Sequence, residues 1–157
     1  MTTAAPRLAI YWPDRTTLDD ARSAYVLAMA GGHPARTWAG WVAAVVRAHA
    51  QLDPTERAAA AAAAPPPARA PRGSATGTGR TVALDPDDYD LPDLIAQATR
   101  ADLAAGRAIG PSQLTAEALR IEVERIRSAA GGTLPPAPAR LPNRASELAN
   151  PREVERN

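Results

Sequence analysis

The chain has 157 residues, no cysteine, no lysine, no phenylalanine and a net charge of +1. Without cysteine there is neither a disulfide framework nor a thiolate metal site, and so small a charge does not by itself announce a nucleic-acid partner. His33 and His49 stand far apart with no ligand spacing between them, so no metal, no cofactor and no catalytic residue is expected. No apolar run reaches the roughly 18 to 20 residues of a membrane span. The opening MTTAAPRLAIYW lacks the regions of a signal peptide, so a cytoplasmic protein is expected. The all-arginine basic set and the excess of alanine and proline are the imprint of a GC-rich genome and carry no mechanism.

In chain order, residues 5–64 read as a strand followed by a two-helix unit. RLAIYW (7–12) has strand composition. Thr16 or Thr17 can cap a helix lined by Leu18, Ala21, Tyr25 and Met29, which Gly31-Gly32 stops. Trp38, Trp41, Val42, Val45, His49 and Leu52 then form one clean helical stripe, in which His49 reads as a core histidine. Asp53, Pro54 and Glu56 suit a helix first turn, and the alanine run 58–64 continues in helix. Pro65, Pro66 and Pro67 end it, and 65–79 reads as a flexible Ala/Pro/Gly-rich linker made basic by Arg69 and Arg72. Residues 80–131 form a second unit: an extended RTVAL, a turn DPDDYD that caps a helix rather than holding calcium, a helix through Leu94, Ile95, Ala98 and Leu103, a break at Gly106–Gly110, and a further helix after Pro111. The Pro-rich 132–157 is expected to be a disordered tail with one helical turn near Ser146–Ala149.

The most informative stretch is 107–130. Leu114, Ala118 and Ile121 fall on one side of a helical wheel, while Leu119, Val123, Ile126 and Ala130 fall on the opposite side. Either one helix is buried on both sides, or it breaks near Arg120 into a helix-turn-helix. A second pattern competes. Placing Pro13 on Pro86 aligns Arg7 with Arg80 and Leu18 with Leu91, and a two-residue insertion then brings Thr37 opposite Ser112. Such a diverged tandem repeat has the outline of a ribbon-helix-helix, whose strands enter the major groove. The fold class expected is therefore mainly α: two small helical units, the second helix-turn-helix-like, with tandem ribbon-helix-helix as the alternative.

The segment ADLAAGRAIGPSQLTAEALRIEVERIRSA resembles helix-turn-helix segments of DNA-binding proteins carried by actinomycete plasmids and integrative elements, including transfer and spread proteins. The resemblance implies a transcriptional regulator or a plasmid maintenance or transfer accessory. Ser112 and Gln113 would then start the positioning helix and meet phosphate, while Glu122, Arg125 and Arg127 face the groove. No glycine-rich phosphate loop and no nucleophile in a recognisable setting is present, so the protein is not expected to be an enzyme. DNA is the expected partner, with homodimerisation open. The alternative is an adaptor or structural protein, such as a phage morphogenesis component or an antitoxin-like partner, docking on another protein through Trp38 and Trp41.

Overall fold

A computed structural model describes residues 4–64 and 78–141. Strand β1 (Arg7–Trp12) alternates strictly between exposed and buried positions, as a half-buried strand must. It pairs antiparallel with β2 (Thr78–Ala83), from Arg7 opposite Ala83 to Trp12 opposite Thr78. The second strand thus begins two residues inside the expected linker, and residues 65–77 of that linker lie outside the described residues.

Five helices among the described residues make the protein mainly helical. Helix α1 (Arg15–Ala30) is capped by Asp14, whose carboxylate accepts from the Thr17 amide at 2.7 Å, and not by either expected threonine. It ends at a turn in which Gly32 takes φ +89°, a conformation that glycine adopts at no steric cost. Thr37 caps α2 (Trp38–Ala50). A reciprocal pair of bonds between Asp53 and Glu56 starts the short α3 (Pro54–Ala63). After a 3-10 turn at Pro86–Asp88 come α4 (Leu91–Ala104) and α5 (Pro111–Ala129).

The two stretches expected to fold as separate units share one core. Leu8, Ile10 and Trp12 from β1, Leu18 and Tyr25 from α1, and Trp41, Val42 and Val46 from α2 are buried in the same cluster as Leu84, Leu91, Ile95, Leu114, Leu119 and Val123. The physical reason is strand pairing: a lone strand leaves its backbone groups unsatisfied, and β1 finds its partner in the second half. Helix α5 is unbroken at Arg120 and packs on β1, α1, α2 and α4. Its two apolar faces are both buried, Leu114 and Ala118 on one and Leu119, Val123 and Ile126 on the other, while Ile121 stays half-exposed. No helix-turn-helix break occurs within 112–130. The expected tail is also ordered further than its composition suggests. Leu134 and Leu141 pack on the core, and Arg22 donates to the Ala139 carbonyl at 3.4 Å. Residues 142–157, with the predicted turn near 146–149, lie outside the described residues.

Helices α2 and α5 line up without the insertion used in the sequence alignment. The shift that puts Leu18 on Leu91 also puts the cap Thr37 on the cap Gly110, Trp41 on Leu114, Val42 on Thr115, Val45 on Ala118 and Val46 on Leu119. All of these paired α2 and α5 residues are buried, so the two-residue insertion that set Thr37 against Ser112 is not needed. The strands require a different correction. Arg80 pairs with Ile10, so it lies in the row that faces the core on β1, whereas Arg7 lies in the opposite row. An alignment that preserves the faces of a period-2 strand therefore puts Arg7 on Gly79, Ile10 on Val82 and Trp12 on Leu84. The residue gained before α4 is taken up at the 3-10 turn.

A buried chain of charges ties the helices together. His49 Nε2 lies 2.8 Å from Glu117 Oε1, Arg107 donates to Glu117 at 2.7 Å and to Asp102 at 2.9 Å, and Arg57 donates to Asp102 at 3.0 Å. Burial raises the pKa of Glu117, but its bonds from His49 and Arg107 outweigh this and hold the carboxyl below its ordinary value. A carboxyl depressed in the folded state adds stability above its unfolded pKa and loses it as pH falls through the folded value. The urea midpoint of the protein should therefore fall on acidification below about pH 4.5. The Glu117→Gln variant should start lower at neutral pH and fall less. Parallel curves for the two proteins would show that Glu117 carries none of the acid sensitivity.

Candidate nucleic-acid interface

The outward row of the two-stranded ribbon is built by alternation alone. With Leu8, Ile10 and Trp12 committed to the core, Arg7, Ala9 and Tyr11 must face away from it, and all three are exposed, Tyr11 by 52%. On β2 the register sets Ala83, Thr81 and Gly79 opposite them, and Thr81 and Ala83 are exposed. Arg7 Nε donates to Thr81 Oγ1 at 2.9 Å, so the one long cationic side chain of this face is anchored across the ribbon. Strands in a pair lie about 4.8 Å apart, and a ribbon of that width enters a major groove of about 12 Å.

Two helix N-termini belong to the repeat, those of α2 and α5. Arg36 is exposed just before the first. At the second, Ser112 and Gln113 are exposed as expected for phosphate contacts, although the Gln113 side-chain oxygen already accepts from the Gly110 amide at 2.8 Å. The other predicted contacts lie elsewhere. Arg125 is 13 residues from Ser112 on a straight helix, about 20 Å along its axis. Its guanidinium is bound to Glu122 at 2.6 Å and 2.9 Å, and that bond raises its pKa. Arg127 is bound to Glu124 and to Asp20. Of the expected set, Ser112 and Arg125 are thus far apart along the helix, Gln113 and Arg127 line one cleft, and both arginines are paired with carboxylates of the same protein. The i, i+3 spacing of Glu122 with Arg125 and of Glu124 with Arg127 was the available signal for this.

Trp38 and Trp41 do not form a docking face. Trp41 is 0% exposed, Trp38 is half-buried, and the two stack with Tyr25 and Trp12 at centroid distances of 5.5–6.3 Å. The stripe is core because β1 and α1 bring their own aromatics to it. The acidic turn is likewise used internally. Asp90 occupies the cap position of α4 without a side-chain capping bond. It pairs with Arg47 at 2.7 Å instead, beside Asp88 at 3.2 Å. That hydrogen bond holds the Asp90 carboxyl below its ordinary range.

A cleft of about 690 Å³ lies between the start of α1 and α5, with Trp12, Ile109, Leu119 and Val123 on its walls. Among its charged groups, Asp20 and Glu124 bind Arg127, Glu117 binds Arg107, Arg120 donates to the Ala64 carbonyl and Asp14 caps α1. Comparison with protein-family models, with curated proteins and with solved structures gives no match to this chain.

Proposed function

We propose that this is a DNA-binding protein that works as a ribbon-helix-helix pair within a single chain, serving as a regulator or as a plasmid maintenance or transfer accessory. One observation carries the reading. Strand β1 is followed by α1, α2 and the short α3, and β2 by α4 and α5; α2 and α5 bury matching positions, and the paired strands expose the short side chains of Ala9, Thr81 and Ala83 between Arg7 and Tyr11. Short side chains let a ribbon approach base edges, and arginine and threonine are groups that read them. In this reading exposed Arg36 before α2 and exposed Ser112 at the start of α5 serve as phosphate contacts beside the ribbon. A near-neutral net charge fits binding that relies on a shaped contact more than on bulk attraction.

The test is competition binding to the intergenic DNA flanking the gene, at about 150 mM salt, where purely electrostatic association is already weak. One fragment should be preferred over bulk DNA. Arg7→Ala should weaken that complex by about 1–3 kcal/mol with an unchanged unfolding midpoint. Arg125→Ala should leave binding within about twofold, because in this reading the ribbon, and not the C-terminal part of α5, meets the groove. Loss of binding in the second variant and not the first would return the reading to α5, and no preference for any fragment would end the DNA proposal.

A further inference from the structure

The two halves match at the buried pairs Trp41 and Leu114, Val42 and Thr115, Val45 and Ala118, and Val46 and Leu119, but on the strands they differ: the face-preserving alignment sets buried Leu8 against exposed Arg80, and on the outward row Arg7 against Gly79, Ala9 against Thr81 and Tyr11 against Ala83. One strand offers a guanidinium and a phenol. Its partner offers a hydroxyl, a methyl and a glycine. The helix starts differ in the same sense, since exposed Arg36 precedes the Thr37 cap while half-buried Ile109 precedes Gly110.

A reader built from two identical chains presents the same groups to both half-sites, so its target mirrors that symmetry. Here both strands belong to one chain and cannot be exchanged. Resting on the DNA-binding reading above, we infer that the target is a non-palindromic duplex site. Base discrimination concentrates in the half that faces β1, where Arg7 reads a guanine. The half against β2 is held chiefly through shape and phosphate. Arginine recognises guanine through two donors at O6 and N7, whereas threonine accepts more than one base and alanine offers only a methyl contact.

The experiment is selection from a pool of randomised duplex DNA by the full-length protein, followed by trimming to the shortest duplex that one chain still binds, with stoichiometry read from the mass of the complex. The expected site is not its own inverted repeat. Single substitutions in one half should cost about tenfold in affinity, the scale of a mismatch at a read position, and in the other half less than about threefold. Selection with Arg7→Ala should relax one guanine of the strong half to any base. An inverted repeat bound by a single chain, with equal costs in both halves, overturns the inference and leaves DNA binding standing. No enrichment over the starting pool overturns both.

Discussion

Asp102→Ala should destabilise the protein by about 3–5 kcal/mol, the cost of removing one partner from a buried ion pair. Arg57 is 1% exposed and Asp102 0%. The arginine donates through Nε and Nη2 to the carboxylate, at 3.1 Å and 3.0 Å, and through its other hydrogens to the carbonyls of Ala50, Leu52 and Ala98. Removing the carboxylate strands that guanidinium away from water and also takes a partner from Arg107, which is 25% exposed and can turn toward solvent. Natural domains are stable by about 5–15 kcal/mol, so this one substitution consumes a large part of the total. Chemical unfolding followed by circular dichroism measures it. A companion variant separates lost charge pairing from lost packing: Arg57→Met combined with Asp102→Leu removes both charges and should recover only part of the loss, since the carbonyls of Ala50, Leu52 and Ala98 also lose their donor. A loss under about 1 kcal/mol for Asp102→Ala would mean that water reaches the pair.

The way this pair escapes the sequence explains what was and was not legible there. Helix α2 announces itself because Trp41, Val42 and Val45 lie on one stripe with polar residues behind, and β1 because its aromatic and branched residues suit a strand. Both signals are local. The double-faced α5 was also legible, and its burial on two sides was one of two readings that the wheel allows. Arg57 gives no such sign. It is the one buried residue of a helix otherwise made mostly of exposed or half-exposed alanines, and its partner is 45 residues away. Only the repeat could have marked the site: carried through without an insertion, the alignment of Leu18 with Leu91 sets Asp102 on Met29, a core position, and a carboxylate at a core position demands a buried cation. The same repeat, read with strand parity, would have separated Arg7 from Arg80. It would have shown that the two halves need each other, because a single strand-helix-helix leaves β1 unpaired and one side of its helices bare.

Ala9→Asp should abolish specific DNA binding, by about a hundredfold or more, while leaving the protein folded. Ala9 sits at the middle of the outward row, exposed and opposite Thr81. In the DNA-binding reading a carboxylate there enters the major groove between two phosphate chains, and like charges brought together across an interface cost several kcal/mol. The folded chain pays much less, since strand propensities span only about 1 kcal/mol and nothing buried is disturbed. Ala9→Asn is the control: it has nearly the same size and shape, no charge, and a side chain that can bond base edges, so it should keep binding within about tenfold. The pair of variants isolates charge at one point on the ribbon from any change of shape, and the Arg7 to Thr81 bond beside it is common to both. If Ala9→Asp binds the preferred fragment as tightly as the unchanged protein, in a sample whose unfolding midpoint is also unchanged, then the ribbon does not enter the groove. The DNA must in that case meet another face of the molecule.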